Sequence, residues 1–247
     1  MNILSAETHV PTDQLSPIRA ADPGYAGRRV RPVAGFDLTF TIPKSASVLW
    51  ALGDARTRSA VIDAHHAAVT GALRFVEHSV VRTRVGAGGR RQVRTRGMLA
   101  AGFDHWDSRA GDPNLHTHVV LANKVQGADK QWRALDGKTV LAATVMVSEL
   151  YDGLLADELH RRLPVTWSLR PRGDGRNPAW EIDGLDDRLL AAFSSRSERI
   201  HEAELDWTQD FQASHGRGPS RVETIKARGH LTRTTRPAKV IRPLADL

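Results

Sequence analysis

Two stretches of alternating polar and apolar character, 98–105 (MLAAGFDH) and 115–122 (LHTHVVLA), flank the polar run WDSRAGDPN. Period-2 alternation sends successive side chains to opposite faces of a strand, and a run of turn formers between two such stretches folds them back on each other. In 115–122, Leu115, Val119 and Leu121 share one face and anchor the strand, while His116 and His118 share the other. If the two strands pair antiparallel, His105 at the end of the first comes opposite His116 or close to it. Cross-strand neighbours on one face have Cβ atoms only about 5 Å apart, so three imidazoles can converge on one ion and leave positions open for a substrate. A lone His-x-His is usually a polar strand face. The third histidine and the apolar anchors are what make this one a candidate metal site.

Other elements can be read around this pair. Phe36, Leu38, Phe40 and Ile42 alternate with Asp37, Thr39 and Thr41, the pattern of a half-buried strand ended by Pro43. A short helix is expected over 45–52, and Asp54 is placed to cap a longer one running to about Ser79, with Val61, Ala64, Ala68, Val69, Ala72, Leu73 and Val76 on its apolar face. Lys44 and Ser45, at a helix start, can hold a phosphate through charge and free backbone N–H groups. The run VVRTRVGAGGRRQVRTRG predicts a hairpin with a glycine-rich tip, carrying Arg82, Arg84, Arg90, Arg91, Arg94 and Arg96 with no acidic residue among them. A strand pair is expected within 124–132, then a helix over 142–163 with Val145, Leu150, Leu154 and Leu159 as its stripe, a hairpin over 164–183 and a helix over 186–215.

The 247 residues include 35 Lys and Arg against 28 Asp and Glu, and all but six of the bases are Arg. Arg carries a planar fork of donors suited to phosphate oxygens, so the basic hairpin points to a polyanion, with its side chains on phosphates or base edges. The absence of cysteine excludes a disulfide framework, a thiolate-bound zinc and a thiol nucleophile, so a metal here takes nitrogen and oxygen ligands. No apolar run is long enough to span a bilayer and no secretion signal opens the chain, so a cytoplasmic setting is expected.

The run His105-Trp106-Asp107…Asp112-Pro113-Asn114-Leu115-His116-Thr117-His118 resembles the three-histidine motif of MobF-type conjugative relaxases, the TrwC/TraI family. Gly35-Phe36-Asp37-Leu38-Thr39-Phe40 with Pro43-Lys44-Ser45, and Trp132-Arg133-Ala134-Leu135-Asp136, resemble the same family in the expected order. The resemblance implies an α+β fold, a palm-like antiparallel sheet flanked by helices. It implies a site-specific single-strand DNA endonuclease and transesterase, in which a divalent ion (magnesium, manganese, zinc or nickel) polarises the scissile phosphate and a tyrosine attacks it. It implies His105, His116 and His118 as metal ligands, Asp37 as the acid that orients them, and single-stranded or hairpin DNA as the partner of a monomer.

The family's nucleophilic tyrosines stand a few dozen residues before the strand matching 36–42. This chain has two tyrosines, Tyr25, twelve residues before Asp37, and Tyr151, expected to pack within the helix over 142–163. No GxxxxGK phosphate loop occurs. The expectation is an irregular remnant over 1–33, a relaxase-like domain over 34–216 and a basic tail over 217–247, truncated at both ends and impaired in catalysis. Two alternatives stay open: a binding remnant that holds metal and DNA without cleaving, and an unrelated three-histidine oxygenase or hydrolase.

Overall fold

The computed structural model describes residues 33–171 and 178–237; Tyr25, the first 32 residues, the centre of the 164–183 turn and the last ten residues lie outside it. Strand β1 (Gly35–Thr41) alternates as its composition requires, with Phe40 buried and Asp37, Thr39 and Thr41 exposed. It belongs to a three-stranded sheet with β4 (Ala100–Asp107) and β5 (Pro113–Ala122), in the order β1-β5-β4. Bonds at both ends set the directions. Ile42 N–H donates to the Leu115 carbonyl and Asn123 N–H to that of Ala34, while Ser108 N–H donates to Asp112 and Ala122 N–H to Leu99, so both pairings run antiparallel. Central β5 buries Leu115, Thr117, Val119 and Leu121 and half-buries His116 and His118 on its other face. The intervening loop is shorter than the sequence suggests. Trp106 and Asp107 continue β4, Pro113 and Asn114 begin β5, and the Ser108 hydroxyl and the Asp112 carboxylate close a tight turn between them.

Helix α1 (Lys44–Leu52) follows Pro43, which cannot extend a strand ladder but tolerates the approach to a helix. Helix α2 (Ala55–Phe75) starts where Asp54 Oδ1 accepts the Thr57 N–H and ends in a π-helical turn over Val76–Val80, matching the expected length. All seven residues of its expected apolar face are buried. Gly71 lets α2 approach α4 (Thr144–Arg162) closely, because a Cβ there would lie 2.8 Å from Leu154 Cδ1. Strands β2 (Arg82–Val85) and β3 (Arg91–Arg94) form the basic hairpin around a tip in which Gly86, Gly88 and Gly89 all take positive φ. Short pairs β6 (Val125–Gln126) with β7 (Trp132–Arg133) and β8 (Trp167–Arg170) with β9 (Ala179–Ile182) follow, with α3 (Gly137–Ala142), α5 (Asp187–Ala192), α6 (Ser195–His215) and α7 (Arg221–Thr234).

Two expectations are corrected here. The helix expected over 142–163 forms as α4, Thr144–Arg162, behind the separate short α3, but its buried face is Val147, Tyr151, Leu155 and Leu159, with Val145 72% exposed. The spacing i, i+4, i+8, i+12 includes Tyr151, whose ring packs 5.2 Å from that of Phe40, so the stripe needed an aromatic that the reading of aliphatic positions left out. The second correction concerns 217–247. Residues 221–234 form α7, packed on α6, because Ser220 and Glu223 make a reciprocal capping box that starts a helix despite the basic composition.

The described chain divides into two compact units. One takes in the described residues up to Phe40 together with Ala67–Asp104 and His116–Leu154, and buries Val69, Leu73, Val119, Leu121, Leu135 and Val147. The other takes in Thr41–His66, His105–Leu115 and the described residues from Leu155 on; within it α1 packs on β9 and α5, and α5 and α7 pack on α6. Among the described residues no helix is long and apolar enough to cross a membrane.

Candidate metal centre

His105 near the end of β4 and His116 and His118 on β5 bring their ligand-capable atoms within 4.8 Å of one another, and all three residues are half-buried. The rings of His116 and His118 meet edge to face with centroids 5.2 Å apart. The alternation of β5 produces this: the same pleat that buries Leu115, Thr117, Val119 and Leu121 turns both imidazoles to the opposite face.

Asp37 completes the arrangement. Its carboxylate oxygens lie 2.9 and 3.0 Å from His118 Nδ1, and Thr39 Oγ1, two residues along the same strand face, lies 3.1 Å from the same nitrogen. A carboxylate only accepts, so Nδ1 carries the proton and Nε2 keeps its lone pair. The donor set suits a divalent cation of intermediate softness: three imidazole nitrogens, one ring fixed by a carboxylate, no thiolate. The residues present fit a metal. Thr39 was not singled out from the sequence, although its place two residues from Asp37 on a strand marks it as sharing that face.

Lys44 and Ser45 are used differently from the phosphate contact expected of them. Lys44 Nζ donates to the carbonyls of Pro113 (2.8 Å) and Phe193 (2.7 Å), and burial holds its pKa below the ordinary lysine value against the pull of Asp112 and Glu181. The Ser45 N–H donates to Glu181 Oε2 at 2.8 Å, and its hydroxyl accepts from the Ile182 N–H. A carboxylate of the chain itself thus occupies the anion position at the start of α1.

The arginine hairpin is rooted and partly free. Thr83 is buried and donates to the Ala134 carbonyl, and the Asp136 N–H donates to that of Arg82. The buried Asp136 carboxylate accepts from Arg84 Nε (2.8 Å) and Gln92 Nε2 (2.9 Å). Burial works to raise its pKa, but these bonds hold it below the usual carboxylate range. Arg84 therefore anchors the hairpin, and Arg82 donates to the Val81 carbonyl. Arg90, Arg91, Arg94 and Arg96 are exposed and make no ion pair among the described residues. Arg82 and Arg94 stand directly opposite across the ladder, a like-charge pairing that costs stability unless an anion lies beside it.

The family model of the TrwC relaxase matches residues 4–247. The chain belongs to the TrwC relaxase family. The multifunctional conjugation protein TraI of Escherichia coli is 34% identical over 218 residues, covering 86% of this chain and 12% of that protein. TraI of strain K12 is 32% identical over 223 residues, and again the chain spans 12% of its relative's length. Among solved structures, conjugative relaxase TrwC bound to oriT DNA in a metal-bound state shows 31% identity and a TM-score of 0.66, covering 86% of this chain and 68% of that one. TrwC complexed with a 27-mer DNA comprising the recognition hairpin and the cleavage site gives 31% identity and a TM-score of 0.62, covering 86% of this chain and 69% of that one. The relaxase fold, a mixed α+β architecture with antiparallel sheets, is the one described above, and membership of this family removes the reading as an unrelated three-histidine oxygenase or hydrolase.

Proposed function

We propose that this chain is a relaxase domain that nicks one strand of DNA and transfers it, working as a cytoplasmic monomer on a single-stranded or hairpin DNA site. The observation that carries the reading is the cluster of His105, His116 and His118 with Asp37 on His118. Those three histidines would hold the divalent ion, which when bound supplies Lewis-acid stabilisation of charge on phosphate oxygens. Asp37 fixes the tautomer and ring orientation of His118, so the imidazole is set before substrate arrives and no rearrangement is spent at the reacting centre. Thr39 holds the same ring edge. The exposed arginines of β3 and its flanks would grip phosphates of the DNA, and the Arg84–Asp136 bond roots the hairpin that presents them. TrwC in complex with oriT DNA, with and without metal, supports this partner.

Tyr151 does not serve as nucleophile. Its ring is buried, and burial, with Asp152 adding like charge, pushes its phenol far above the ordinary tyrosine value. The remaining tyrosine is Tyr25. Incubation of the chain with a divalent metal and an oligonucleotide carrying its site should give a covalent protein–DNA adduct that Tyr25→Phe abolishes and Tyr151→Phe leaves intact. Binding without any adduct identifies the chain as one that holds metal and DNA without cleaving, and the absence of DNA binding defeats the proposal.

A further inference from the structure

Seven arginines of the described chain pair with carboxylates: Arg84, Arg133, Arg161, Arg162, Arg170, Arg217 and Arg228. Arg109, Arg196 and Arg236 make no ion pair among the described residues, and hydrogen bonds gather the segments that carry them. Asp112, which closes the β4–β5 turn containing Arg109, accepts from Ser195 Oγ at 2.5 Å and from the Arg196 N–H at 3.3 Å at the start of α6. The Arg196 side chain reaches the end of α7, where Nη2 donates to the Thr232 carbonyl at 2.9 Å; Arg236 follows two residues after α7 ends at Thr234. Arg196 Nη1 is shielded from solvent and has no hydrogen-bond partner among the described residues. A buried guanidinium donor without an acceptor is a costly arrangement, and a bound oxyanion would supply that acceptor.

The electrostatics agree with this geometry. Partial burial first, then Arg236 and Arg196, hold the Arg109 guanidinium below its ordinary pKa. Burial, then Arg236 and Arg199, do the same for Arg196. The nearest acid named by these contacts, Asp112, has both oxygens engaged by the start of α6. Like charges crowded in this way, with no guanidinium of the three ion-paired among the described residues, are relieved by an oxyanion.

We propose that Arg109, Arg196 and Arg236 form a phosphate site on the β4–β5 turn and the α6 and α7 ends, with Arg196 Nη1 as its buried donor. The ligand is a phosphoryl oxyanion, either a backbone phosphodiester of bound DNA or free phosphate. The phosphodiester source rests on the DNA reading above, and the site itself does not. It uses none of the residues of the arginine hairpin.

The test uses the full chain and two probes. Inorganic phosphate should raise the melting temperature above that in chloride of equal ionic strength, and Arg196→Gln and the paired Arg109→Gln, Arg236→Gln variant should each lose the increment. The paired variant matters because its side chains lie at the surface and do not carry the Thr232 bond. A single-stranded oligonucleotide should bind the paired variant more weakly, with the slope of log K against log[salt] shallower by about 0.7 for each phosphate contact removed and metal content unchanged. Lost phosphate protection with unaltered oligonucleotide binding supports the site and assigns it to free phosphate. Equal phosphate protection in wild type and variants, or none in either, overturns the site. If the wild type binds no oligonucleotide, the DNA reading fails and the phosphate arm alone decides this proposal.

Discussion

Replacing Asp37 by Ala removes the carboxylate that fixes His118 and leaves the three imidazoles in place. Loss of such an outer partner generally lowers metal affinity about 10–100-fold. Two features place this site at the lower end. The Asp37 side chain is 52% exposed and that of His118 29% exposed, so solvent screens the pair. Thr39 Oγ1 also lies 3.1 Å from the same Nδ1 and offers a replacement acceptor. The expected loss is therefore about tenfold, ~1.4 kcal/mol. Removing the replacement acceptor as well, in Asp37→Ala with Thr39→Val, should carry the loss further toward a hundredfold. The assay is competition of the purified chain against a chromogenic chelator, with melting temperature measured alongside to show that the fold survives. Asp129→Asn is the control. Asp129 pairs with Arg133 on the β6–β7 connection, so its loss should leave metal affinity alone. A folded Asp37→Ala chain with wild-type affinity would refute the argument that this carboxylate orients the metal-binding ring.

The remaining predictions concern the hairpin and the core. Arg94→Gln relieves the like-charge pairing with Arg82 and should stabilise the chain by about 0.2–1 kcal/mol in denaturant titrations while weakening duplex binding and its salt dependence, so a variant both less stable and equally tight would contradict the role given to that pair. Asp136 is held below the usual carboxylate range in the folded chain. Its contribution is therefore complete at neutral pH and lost as pH falls through the carboxylate range, and Asp136→Asn should flatten that acid limb of a stability–pH curve. Leu159→Ala empties a fully buried position on α4 and should cost about 2–5 kcal/mol by chemical denaturation; a cost near zero would mean that this face is not packed as described.

How much of this was legible in the sequence depends on how local the signal was. β1, the β4–β5 pair, α1, α2 and the arginine hairpin each declare themselves through period or turn chemistry within a few residues, and the histidine cluster follows from two of those strands. Leu115, Val119 and Leu121 fixed the face, so His116 and His118 had to leave by the other. The anion position at Ser45 could not be read in this way, because the group that fills it, Glu181, is 136 residues distant. Asp136 as the root of the hairpin has the same origin, 52 residues from Arg84. The stripe of α4 is less legible: Leu159 and the packing of Tyr151 can be read from the sequence, but several apolar residues lie on both faces, and Val147 and Leu155 are buried where Val145 is exposed. Helix α7 was missed for a different reason: Ser220 and Glu223 spell a capping box, and the density of basic residues drew attention from it.

Elemental analysis of metal bound per chain, in wild type and in His105→Ala, His116→Ala and His118→Ala, tests the centre of the account most directly. One divalent ion per folded wild-type chain, with a marked loss in each of the three variants, is the expected result. Equal metal content in all four proteins would contradict it, because the ion would then be bound somewhere that these imidazoles do not reach.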